Sequence, residues 1–156
     1  MKKILLILST LLIGCSLQTN TISLNDSFNE YKSSLGTSSE KTLLTDEVWN
    51  DLVTARDSLK QSAFVHSLAE FPTEMLKITD IKQSIQGEKG CLLVSGSNNS
   101  DVELDYYISY SLVTNNWIIN EVSVKYFLDD SERYLKEAEC DKEKRMNLWL
   151  QFIEKT

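Results

Sequence analysis

The residues able to do chemistry are few: one histidine, three cysteines, and carboxylates and tyrosines scattered along 156 positions. His66 follows Ser62 and precedes Glu70 at steps of four, a spacing that lines the three along one face of a helix. Glu70 would then orient the imidazole, giving an acid–base pair at a pocket. A solvent-facing helix side or a core histidine uses the same spacing, and that plainer use is the one expected. Asp105, Tyr106 and Tyr110 form a second candidate set, with Asp80 as a further acid. Tyr106 and Tyr110 share the parity of Val102 and Leu104, so packing in a core with hydroxyls at a rim is expected of them. A lone histidine, and cysteines without CxxC or Cys/His clustering, support neither a metal site nor a cofactor.

Cys15 has a different setting. Met1-Lys2-Lys3 is followed by the apolar run Ile4 to Ile13 and then Gly14-Cys15-Ser16, the parts of an export signal. The run is too short for a bilayer span, which needs about 20 residues. Leu12-Ile13-Gly14-Cys15 resembles the lipobox of bacterial lipoproteins. The resemblance implies cleavage of a signal peptide at residues 1–14, a diacylglycerol on the Cys15 sulfur, an added acyl chain such as palmitate on its amine, and a lipidated tether over residues 15–23. A plain secretory signal with an incidental cysteine is the alternative. Ser16 in place of Asp is similar to the Gram-negative pattern that permits sorting to the outer membrane, facing the periplasm. In a Gram-positive cell the same signal implies the cell surface.

Cys91 and Cys140 remain once Cys15 is acylated, and an exported chain keeps disulfides. They read either as one bridge closing a loop of about fifty residues or as two buried free thiols. Loss of Lys2 and Lys3 leaves 14 basic residues against 23 acidic, a side-chain charge of −9 in the mature form. Such a surface repels phosphate backbones and excludes a nucleic-acid partner. It does not bind anionic headgroups either, so the lipid must hold the chain at the membrane. Length, 42% apolar and 25% charged residues describe one ordinary globular domain.

Elements that could position these residues follow from periodicity. Leu24, Phe28, Tyr31 and Leu35 recur at helical spacing and stop at Gly36. Thr45-Asp46-Glu47 opens a second helix with Val48, Trp49, Leu52 and Ala55 on its apolar side. Phe64, Val65 and Leu68 predict a third helical stretch ending at Phe71-Pro72. The period then changes to two. Val102 to Leu112 alternates over six positions, Lys89 to Ser95 and Trp117 to Leu128 predict neighbouring strands, and Ile81, Gln83 and Ile85 fit a first strand while Ile78, Ile81 and Ile85 fit a helix. Apolar parity flips between Ile119 and Val122, which predicts a β-bulge near Asn120-Glu121. Gly87-Glu88-Lys89-Gly90, Ser97-Asn98-Asn99-Ser100 and Asn115-Asn116 are turns, so the strands form an antiparallel meander of four. A helical tail is expected from Asp129-Asp130-Ser131 with Met146, Trp149, Leu150 and Ile153 on its apolar side; the segment Leu148 to Ile153 is expected to dock on the domain and bury itself, with an exposed patch that engages a partner as the alternative. The charge run Glu137 to Lys144 predicts a solvated helix face or a break between helices.

Helices followed by a meander, with Asn116-Trp117-Ile118-Ile119-Asn120-Glu121-Val122 in the last strand, is similar to the nuclear-transport-factor-2-like (cystatin-like) superfamily over residues 24–128. The resemblance implies an α+β domain with a pocket between a curved four-stranded antiparallel sheet and N-terminal helices; the C-terminal helical extension at 129–156 departs from that family's basic pattern. The fold does not choose a function. The expected function is a membrane-anchored lipoprotein of the cell envelope that acts as a non-catalytic binding module for an envelope protein or a small apolar ligand. Two alternatives remain: an immunity protein whose acidic surface neutralises a basic toxin, and an isomerase- or dehydratase-type enzyme with His66 or Asp105 as base.

Overall fold

The computed structural model describes residues 22–61, 68–127, 133 and 135–154. Helix α1, Leu24–Ser34, starts because the Ser23 hydroxyl accepts the Asp26 N–H at 3.1 Å. It ends where Leu35 leaves helical backbone and Gly36 takes φ +73°. A 3₁₀ turn at Glu40–Leu43 leads to α2, Asp46–Gln61. Thr45 caps α2 as expected, accepting the Val48 N–H at 3.4 Å, and its own N–H donates to the Ile119 carbonyl at 2.9 Å.

Four strands follow: β1 Lys77–Gln86, β2 Lys89–Ser97, β3 Glu103–Val113 and β4 Asn116–Phe127. They pair antiparallel in chain order, the predicted meander, and Ile81, Gln83 and Ile85 resolve as strand. Thr114 and Asn115 both take positive φ, matching the turn to the twist of β3 and β4. Glu121 faces Ser109 while Ile119 faces Tyr110, leaving Asn120 as the extra residue of the predicted bulge.

Each face of the sheet is covered differently. Leu92, Val94, Leu104, Tyr106, Ile108, Tyr110, Trp117 and Ile119 form an inner core with Leu24, Phe28, Tyr31, Val48 and Leu52 of the helices. Phe71 sits among these aromatics, 5.6 Å from Tyr31 and edge-on to Tyr106 at 5.0 Å between ring centroids. Gly90 lets α1 lie against β2, since an added Cβ would fall 2.7 Å from a Leu24 methyl. On the outer face a smaller cluster of Cys91, Leu93 and Tyr107 is covered by Leu135 and Ala138.

Two expectations about the tail change. The proposed cap at Asp129-Asp130-Ser131 lies outside the described residues, and residues 135–141 cross the outer face without forming helix. Helix α3, Lys142–Ile153, starts only where the Asp141 carboxylate accepts the Glu143 and Lys144 N–H groups at 2.9 and 3.1 Å. A capping acid inside the charge run thus marks the helix start. The stripe of α3 does not bury itself: Met146, Trp149 and Leu150 are exposed, and Leu148 turns to the sheet instead. The side chain of Ile153 lies outside the described set.

Candidate binding site on the outer sheet face

Of the two acid–base sets of the sequence, the one on Asp105, Tyr106 and Tyr110 does not assemble, and the one on His66 and Glu70 has its histidine outside the described residues. Asp105 and Tyr106 are adjacent on β3, so their side chains leave opposite faces of the sheet. Tyr106 and Tyr110 are buried in the inner core, where Tyr106 accepts the Met75 N–H at 2.9 Å. Asp105 points outward beside Ser95 and receives the Arg133 Nε–H at 2.9 Å. Burial raises its carboxyl above the ordinary range, against the opposing pull of Ser95 and Arg133. The requirement that Asp105 converge with these tyrosines in one pocket therefore fails. His66 and Ser62 lie outside the described residues, as does Cys15. Glu70 sits exposed in a run of turns, its carbonyl accepting the Thr73 and Glu74 N–H groups at 2.7 and 2.9 Å. Asp80 is exposed on edge strand β1, paired with Lys82 at 3.6 Å.

Cys91 and Cys140 do meet, joined by a disulfide with Cα atoms 5.4 Å apart. The bond pins residues 135–141 across the middle of the outer face. Beside it lies Arg145, just past the charge run and not singled out in the sequence. Its guanidinium packs over the Tyr107 ring, 4.0 Å from the centroid, and donates to the Tyr107 hydroxyl at 2.6 Å, the Glu139 carbonyl at 3.1 Å and Glu121 at 2.9 Å. Tyr107 donates in turn to the Glu139 carbonyl at 2.7 Å. A mostly buried guanidinium with a ring face and an acid partner is a rigid mount, because its planar fork is satisfied in one orientation.

That mount holds the start of α3 over β4 and opens a cleft of about 280 Å³ lined by Glu121, Ser123, Lys142, Arg145, Met146 and Trp149. The cleft has a charged floor and a wall of exposed thioether and indole. An exposed indole beside a fixed arginine is the composition that anchors protein contacts. The only sequence signal for this site is the helical spacing of Met146, Trp149 and Leu150. The spacing identifies a stripe but not which side of it meets solvent.

A second polar centre also escaped the sequence. Glu40 is 3% exposed, pairs with Arg56 at 2.8 Å and accepts the Gly36 N–H at 2.9 Å, with the Tyr31 hydroxyl at 3.4 Å. Burial first, then Glu40, raises the Tyr31 hydroxyl far above its ordinary value. These contacts brace the link between α1 and α2. Among the described residues no group of three His, Cys, Asp or Glu could hold a metal ion, and no helix is long and apolar enough to cross a membrane. No protein family, no curated protein and no solved structure matches the chain.

Proposed function

We propose that the chain is a membrane-anchored lipoprotein of the cell envelope whose folded part works by binding another protein, with no chemistry of its own. The observation carrying the binding role is the exposed stripe Met146, Trp149 and Leu150, held by the Arg145 mount and the Cys91–Cys140 bond beside a cleft. Apolar groups in that setting are anchors waiting for a partner's pocket. The charge of −9 would steer a cationic partner toward the chain, while the cleft itself presents Lys142 and Arg145 beside Glu121. A toxin neutralised by an immunity protein would be one such partner. The lipobox at residues 12–15 supports the anchor, and an oxidised cysteine pair suits an exported chain. Two helices followed by an antiparallel meander support the resemblance to the nuclear-transport-factor-2-like superfamily.

The test has two parts. A palmitate analogue fed to cells should label the full chain and not Cys15→Ser. A photocrosslinking residue at Met146 should capture one envelope protein that the same residue at exposed Thr54 of α2 does not. That complex should weaken as salt rises and be lost in Trp149→Glu. Equal capture from both positions, or capture that survives Trp149→Glu, would remove the binding role from α3.

A further inference from the structure

The point at which the chain leaves the fold orients it on a membrane. Ile22, the first described residue, is fixed at one end of the sheet, where its carbonyl accepts the Trp117 Nε1–H at 2.9 Å. Leu24 lies against Gly90 at the same end. Ser16 to Ile22 is seven residues, a reach of at most about 25 Å. The twelve-residue strand β4 spans about 40 Å. A lipid on Cys15 thus holds this end of the sheet closer to the bilayer than the other.

The two ends differ in charge, while exposed aliphatic side chains occur at both, Leu76 at 66% and Ile78 at 37% lying beside the acidic end. The emergence end carries three exposed aliphatic side chains: Ile22 at 41%, Ile85 at 47% and Val113 at 52%. Ile85 lies on β1 beside Gly90, and Val113 faces Asn116 at the β3–β4 turn. The turns there, residues 86–89 and 114–115, hold one acid, Glu88, and one base, Lys89, among uncharged residues. At the opposite end Glu70, Glu74, Asp101 and Glu103 gather around the Asn98 turn, Glu74 receiving the Asn98 amide at 3.3 Å. Anionic headgroups repel that end and leave the emergence end indifferent.

We infer that the emergence end is a membrane-contact surface, with Ile22, Ile85 and Val113 seated in the headgroup layer and the acidic end turned outward. This rests on the lipoprotein reading and adds an orientation to it. Interfacial seating of a few aliphatic side chains adds little to an acyl anchor, but it restricts how the tethered domain can tilt.

Amide exchange tests it. The full chain purified from cells is placed in vesicles of phosphatidylethanolamine and phosphatidylglycerol, and Cys15→Ser chain in buffer is the reference. Intact mass reports acylation independently. Exchange at Gly87, Glu88, Thr114 and Asn115 should slow severalfold in vesicles, with no change at residues 98–101. A double variant, Ile85→Asp with Val113→Asp, should keep the acylated mass and a native circular dichroism spectrum yet lose the slowing. An acylated chain whose emergence-end turns do not slow, or whose 98–101 turn slows instead, overturns the inference alone. An unacylated mass overturns the anchor and the inference with it.

Discussion

Replacing Cys91 and Cys140 together by Ala tests whether the tail and the sheet unfold as one unit. The bond joins positions 49 apart, and cross-linking a loop of that size removes about 4 kcal/mol of chain entropy from the unfolded state at 25 °C. Cys91 is also buried against Leu93 and Tyr107, so trimming it adds about 1 kcal/mol of lost packing. The tail should stay docked in the variant, because Arg145 keeps its bonds to Tyr107, Glu121 and the Glu139 carbonyl. The loss should therefore appear in global unfolding, near 5 kcal/mol, and the urea dependence should steepen as the uncrosslinked chain exposes more surface. With a slope of about 2 kcal/mol per molar, the urea midpoint falls by about 2.5 M. Tryptophan fluorescence and far-ultraviolet circular dichroism should report one coincident transition. A loss below about 1 kcal/mol, or an early transition seen by fluorescence alone, would refute the reasoning, because the tail would then detach before the sheet melts.

Glu40→Ala should cost about 3 kcal/mol in urea unfolding, the low end for breaking a buried pair, since Arg56 retains some access to water. A double cycle with Arg56→Met should show coupling above about 1 kcal/mol, and additivity would remove the pair from the account. Tyr110→Phe should stabilise by about 1 kcal/mol, because the Tyr110 hydroxyl is buried with no hydrogen-bond partner among the described residues; a loss of that size would mean that the hydroxyl does have a partner. Asp105 has a raised folded-state pKa, so its protonated form favours the fold, and this stability is lost as pH rises from about 4 through the raised value. The stability of the wild type minus that of Asp105→Asn should therefore fall between pH 4 and pH 7, and a rise would show that Arg133 outweighs burial.

Periodicity made most of the scaffold legible. Leu24, Phe28 and Tyr31 needed only helical spacing, and the six alternating positions from Val102 to Leu112 needed only a period of two. The change of parity after Ile119 located the bulge because both halves of β4 keep their apolar residues toward the same helices. The tail was not legible for a physical reason. Spacing shows that Met146, Trp149 and Leu150 share a side of a helix, but the side that meets the sheet is chosen by Arg145 reaching Tyr107 and Glu121, contacts 38 and 24 positions away. Glu40 looked like any loop acid, since its burial depends on Arg56 from the next helix. The pairing of Cys91 with Cys140 was one of two open readings, because cysteine count gives parity and not distance. Asp105 and Tyr106 were named as one pocket set although strand alternation alone separates their side chains.

Asn120 acts on β4 as a phase shift acts on a wave. Before it the odd-numbered positions Trp117 and Ile119 face the helices; after it the even-numbered Val122, Val124 and Tyr126 do. Deleting Asn120 alone would restore regular pleating with Ile119, Val122 and Val124 still on the helix side, because Asn120 is the extra residue itself. Single-residue insertions or deletions elsewhere in β4 turn the polar side of one half of the strand to the core, and only a compensating change within the strand cancels them. Lineages carrying this fold should therefore vary β4 by one residue at the bulge or by compensated pairs elsewhere, whereas the turns at either end remain free to vary one residue at a time.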